Sequence, residues 1–99
     1  MSRPYLYHYV DTFSRSHKLS QAITRKELDK LGFKVSSPAT AWEHFAVNAD
    51  TLVVVTNVPL TSSKTYVHVV ATSNTDAPAK NWAAATMKAL KKSKLVLID

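Results

Sequence analysis

Aromatic and aliphatic side chains alternate from the start of the chain, where Tyr5, Tyr7 and Tyr9 interleave with Leu6, His8 and Val10. A period of two in such residues predicts a strand over Arg3 to Phe13, with Asp11-Thr12 near its end. Ser14 to Lys18 is polar and basic and reads as a loop. A helix follows. Thr24 and Glu27 have the spacing of a capping box, and Ile23 and Leu28 that of a hydrophobic staple. An alternative start lies near Ser20, because Leu19 and Ile23 share a face. Gly32 is the only glycine and follows Leu31 as a C′ residue free to adopt positive φ. Phe33 then stands where a Schellman motif sets an apolar contact onto Leu28.

Residues 33–50 carry two competing patterns. Ser37-Pro38 has the form of an N-cap followed by proline at N1, which would place Trp42, Phe45, Ala46 and Ala49 on one helical face. The same stretch also fits a short strand over 41–47. The helical turn is the preferred expectation. From Thr51 to Val58 the run Leu52-Val53-Val54-Val55 predicts a strand, Pro59 to Lys64 supplies a longish turn, and Thr65 to Thr72 returns as the second arm of a hairpin. Asp76 is expected as an N-cap with Pro78 in the first turn. Ala79, Trp82, Ala83, Thr86, Met87 and Leu90 then form one apolar stripe of a helix that runs to about Lys92. Leu95 to Ile98 reads as a short final strand.

The resulting order is strand, helix, strand, strand, helix, strand. It predicts a ferredoxin-like βαββαβ fold, with both helices on one face of an antiparallel sheet and an extra turn or short helix or strand in 33–50. The chain has 99 residues, enough for a single α+β domain over 1–99. It has no cysteine, which excludes disulfides, thiolate metal sites and cysteine nucleophiles. No targeting segment is apparent and no apolar run is long enough to span a bilayer, so a cytoplasmic protein with no membrane partner is expected.

Charge narrows the choice of partner. Of the six excess positive charges, two fall in residues 1–50 and four in 51–99, a balance that favours anionic partners. In the ferredoxin-like arrangement Leu6, His8 and Val10 would face the helices, as would Val67, Val69 and Ala71. Tyr5, Tyr7, Tyr9, Tyr66 and His68 would share the open face, with Arg3 beside them. Such a face suits base stacking, and an aromatic face is also what a homodimer buries. A possible anion site joins Arg15, His17 and Lys18 in the loop before a helix, and Lys88, Lys91 and Lys92 form another on the last helix.

Catalytic signals are sparse. His8, His17, His44 and His68 have no metal-ligand spacing, and with one glycine neither a phosphate-binding loop nor a dinucleotide fingerprint can be written. No catalytic residue, metal or cofactor is therefore assigned. His68 with Tyr66 or Tyr7 is the one acid–base pairing considered. Trp42 and Trp82 are expected as core anchors. The leading expectation is a non-catalytic binding module, homodimeric, acting through an aromatic sheet face on nucleic acid or another anionic partner. The alternatives are a small-ligand-binding protein or enzyme of the dimeric ferredoxin-like kind, and a protein–protein interaction or structural subunit.

Overall fold

A computed structural model of the chain describes residues 4–36 and 42–93. The elements run β1 (Tyr5–Phe13), α1 (His17–Lys30), β2 (Lys34–Ser36), β3 (Glu43–Val47), β4 (Thr51–Thr61), β5 (Lys64–Ser73) and α2 (Asp76–Lys92). The five strands form one antiparallel sheet in the order β1-β5-β4-β3-β2. The expected βαββαβ fold is thus overturned. Between α1 and the long hairpin the chain makes two further strands, β2 and β3, which extend the sheet beyond β4. The strand expected over 95–98, the N-cap at Ser37-Pro38 and Arg3 lie outside the described residues.

In 33–50 the strand alternative prevails over the helical turn. His44 and Ala46 are buried while Phe45 and Val47 are exposed, a period of two that matches the unpaired edge of β4 better than one helical face could. Trp42, expected in the core, is 46% exposed and meets the His17 ring edge-on at 6.0 Å. Trp82 does pack against the core, its ring 4.8 Å from that of Phe33.

Helix α1 starts earlier than the capping-box spacing implies. Ser16 is the N-cap, and its hydroxyl accepts from the Leu19 amide at 3.2 Å. Thr24 is mid-helix, where its hydroxyl donates to the Ser20 carbonyl one turn back. Glu27 turns instead to the Ser93 hydroxyl at 2.8 Å and Lys26 at 3.3 Å. Burial raises its carboxyl pKa, but Ser93, Lys26 and Lys30 outweigh that and leave it below the ordinary range. The helix ends as its sequence implies. Gly32 has φ of 90°, its amide reaches the Asp29 carbonyl, and the Phe33 amide reaches the Leu28 carbonyl, the double bond of a Schellman motif.

Helix α2 has Thr75 as its N-cap, one residue before the expected Asp76. Its stripe of Ala79, Ala83, Thr86, Met87 and Leu90 is buried against the sheet. Arg15 closes its far end. The guanidinium donates to the carbonyls of Leu90 at 2.6 Å and Ser93 at 3.3 Å and lies 4.5 Å over the Phe13 ring. The β4–β5 hairpin is tighter than expected, with Thr61 opposite Lys64 across Ser62-Ser63. Pro59 stands opposite Thr65 at a register irregularity of the β4–β5 ladder, between Pro59 and Thr61, a position where a strand tolerates proline.

Both helices cover one face of the sheet. The core between them holds Ile23, Leu28, Val53, Val55, Val67, Val69, Ala71 and Leu90. Among the described residues, no helix is long and apolar enough to cross a membrane.

Candidate functional site

The phase of β1 decides what each face of the sheet presents. Residues directly opposite in an antiparallel pair share a face. Tyr7, Tyr9 and Asp11 stand opposite Ala71, Val69 and Val67, which are all buried beneath the helices. The alternation expected for β1 is therefore inverted. Tyr5, Tyr7 and Tyr9 lie on the helix side, and Leu6, His8 and Val10 lie on the open side. Tyr66 and His68 do emerge on the open side, and Val67, Val69 and Ala71 on the covered one, as expected. His68 and Tyr7 are consequently on opposite faces and form no acid–base pair.

Edge position explains the inversion. Strand β1 is at the margin of the sheet, where α2 covers only part of each side chain. A tyrosine there rests its ring against the core and carries its hydroxyl past the edge to a polar partner. Tyr7 does this: its ring packs on the core and its hydroxyl donates to the Asp76 carboxylate. That bond raises the Tyr7 pKa above its ordinary 10.0, with lesser contributions from desolvation and the Asp76 charge.

The open side is the largest unpaired feature. Register brings Leu6, Thr72, Leu52 and Val47 into one row, His8, Val70, Val54 and Phe45 into the next, and Val10, His68, Thr56 and Glu43 into a third. Val58 and Tyr66 continue it. Leu6 is 60% exposed, Val10 51% and Val47 45%. His8 and His68 meet near the middle, Nδ1 to Nε2 at 3.3 Å with the rings edge to face. Among the described residues the lysines and arginines at this face are Lys34, opposite Val47 at the β2 margin, and Lys64, two residues before Tyr66 at the start of β5. The apolar members on β3 and β4 were not foreseen as site residues. The alternation of Phe45 and Val47 with His44 and Ala46 was their only signal.

The expected basic residues divide. Arg15 and His17 both turn inward, Arg15 to the end of α2 and His17 to the Asn57 carbonyl at 2.9 Å. Lys18 is exposed at the start of α1. Lys88, Lys91 and Lys92 come together with Tyr9, Ala84 and Met87 around a hollow of 310 Å³. Lys91 also pairs with Asp11 at 3.2 Å, and the Asp11 carboxyl lies below its ordinary value through the Thr12 amide first and Lys91 second.

A third location was not foreseen. His44 is 5% exposed and its Nδ1 has no hydrogen-bond partner. Burial, with the charges of Arg25 and His17, holds its pKa below the ordinary 6.5. Folding therefore favours the neutral ring, and the unfolded chain binds the proton more readily. The resulting stability is fully present above about pH 6.5 and declines as pH falls below it. From about pH 7.5 to about pH 5.5, the denaturant midpoint of the wild type is expected to drop more than that of His44→Gln. Equal drops would show that His44 is not held neutral by the fold.

Comparison with known proteins finds no matching family model, no matching curated protein and no matching solved structure, so these surfaces are read from their own geometry.

Proposed function

We propose that the chain is a non-catalytic binding module that associates through the open face of its sheet, with a second copy of itself as the partner. The observation that carries this reading is the contiguous apolar surface across β1, β5, β4 and β3, with no described element over it. Soluble monomers rarely leave so large an apolar patch in water.

Size and charge favour a second copy. Four strands about 4.8 Å apart, each contributing about seven residues at roughly 3.3 Å, span about 20 by 23 Å. Two such faces together remove on the order of 1,000 Å² of surface, the lower bound for a specific interface. The centre of the face is apolar with a histidine pair, so it is self-complementary and offers a polyanion no cation. Light scattering on the purified chain tests the reading: the mass of two chains supports it, and a monomer at about 100 μM overturns it.

A second reading concerns an anionic polymer and rests on a different observation, the meeting of Tyr9 with Lys88, Lys91 and Lys92. Tyr5 is 47% exposed and Tyr9 40% exposed, on the same side of β1. Exposed rings beside lysines suit single-stranded nucleic acid, since bases stack on the rings and phosphates meet the ammonium groups. Such binding weakens steeply as salt is added. Anisotropy of a labelled oligonucleotide is expected to show this, and Tyr9→Ala is expected to lower affinity about tenfold. No binding at low salt removes the nucleic-acid reading and leaves the dimer untouched.

A further inference from the structure

Pairing of the first strand with the fifth brings two metal-ligating side chains together on the open face. His8 and His68 are 60 residues apart in sequence. Register sets His8 opposite Val70 and His68 opposite Val10, so the imidazoles meet across the diagonal between β1 and β5. Nδ1 of His8 and Nε2 of His68 are 3.3 Å apart, with the ring planes at 89°. Two nitrogens held by one tetrahedral zinc ion, each at about 2.0–2.1 Å, also stand about 3.3 Å apart. Replacing the proton between the rings by a metal thus needs only small ring rotations, which aim both lone pairs at a common point above the sheet. Among the described residues, no three potential ligands gather within one chain. One chain therefore offers a chelating pair, and a closed site needs two further donors.

We propose that His8 and His68 of two copies together bind one zinc ion between their sheets. This inference rests on the sheet-to-sheet dimer proposed above and names what fixes its register. A two-fold axis that sets a face on its own copy lies in the plane between the sheets. Let it run across the strands, midway between the row of His8 and the row of Val10 and His68. Each strand then stacks on its own copy and the whole face is covered. His8 and His68 mark one diagonal, and the same two residues of the second copy mark the opposite diagonal above it. Four donors on crossed diagonals are the corners of a tetrahedron. Rows about 6.6 Å apart, strands about 4.8 Å apart and sheets about 10 Å apart place the central ion about 6.5 Å from each Cα. An imidazole and a zinc–nitrogen bond together span that length.

Donor chemistry selects the metal. Imidazole suits zinc, whereas magnesium and calcium take oxygen ligands. A tetrahedral set fits zinc and disfavours divalent copper, which prefers a tetragonal one. The ion brings two positive charges to an apolar interface. Strand β1 is the edge of the sheet, so the site borders solvent and that charge is not fully desolvated.

The test measures the dimer dissociation constant of the full chain by sedimentation, in EDTA and with zinc in excess. Zinc is expected to lower it at least about thirtyfold, the effect of zinc at about thirty times its dissociation constant from the dimer. Calorimetry is expected to give one zinc per two chains. Cobalt in place of zinc is expected to show the intense visible absorption of a tetrahedral nitrogen set. His68→Ala is expected to cut the zinc response below about threefold, while His44→Gln, on the helix side of the sheet, retains it. A dimer whose constant ignores zinc overturns the metal site and leaves the sheet-to-sheet reading standing, as does a stoichiometry of one zinc per chain. A zinc response that survives His68→Ala places the metal elsewhere and overturns the assignment. A monomer at about 100 μM with and without zinc overturns the dimer and the site together.

Discussion

Asn57→Ala is expected to lower the unfolding free energy by about 2–4 kcal/mol and the melting temperature by roughly 10–25 °C, read by denaturant and thermal melts. Asn57 is fully buried on β4. Its side-chain oxygen accepts from the Ser20 hydroxyl at 2.5 Å, and its amide donates to the Thr24 hydroxyl at 3.2 Å. Ser20 and Thr24 are each 1% exposed. Removing the amide strands the Ser20 donor in an apolar interior where water does not replace it. An unsatisfied buried group costs its whole desolvation penalty, whereas removing all partners together costs much less. The triple variant Ser20→Ala, Thr24→Val, Asn57→Leu is therefore expected to recover a large part of the loss. A loss below about 1 kcal/mol for Asn57→Ala would mean that the network is not closed to solvent.

The second large effect concerns association. Val54 sits on β4 between Phe45 and Val70, at the middle of the open face. Val54→Lys is expected to raise the dimer dissociation constant at least a hundredfold, equivalent to about 3 kcal/mol, because the ammonium would be desolvated opposite its own twin. The monomer is expected to remain folded, since Val54 is only half-buried and a lysine there extends into water. Sedimentation across a concentration series reads the constant, and circular dichroism reads the fold. A variant that dimerises as well as the wild type would place the interface elsewhere. Lys80, exposed on α2 on the other side of the sheet, gives the control: Lys80→Glu is expected to leave the constant unchanged.

The surfaces make different demands on the molecule. The open face is almost without cations, while α1 carries Lys18, Arg25, Lys26 and Lys30 and α2 carries Lys80, Lys88, Lys91 and Lys92. Acidic groups on the helices are fewer, namely Glu27, Asp29 and Asp76. The net positive charge thus lies mainly on the helix layer and the exposed apolar surface on the sheet. A sheet-to-sheet pair would turn both basic helix layers outward, so self-association and anion binding are compatible in one assembly.

Local sequence determined the elements whose signals are short-range. The apolar stripe of α2 needs only a period of 3.6, and the Schellman end of α1 needs only Gly32 and Phe33 in place. The β4–β5 hairpin follows from its β-branched run. Where two local signals competed, only long-range contacts chose. Thr24 and Glu27 have capping-box spacing, yet Ser16 starts the helix, because Thr24 and Ser20 bond to Asn57 across the core and must already be helical. Residues 43–47 became a strand because β4 had a free edge to pair. Strand β1 shows the limit most clearly, since both of its faces are hydrophobic and no polarity contrast sets the phase. Register with Val67, Val69 and Ala71, at an edge where Tyr7 can reach Asp76, put the tyrosines on the helix side of the sheet and left Leu6 and Val10 on the open side. A strand with one polar face carries its orientation in its own residues, whereas one that is apolar on both faces receives it from its neighbours.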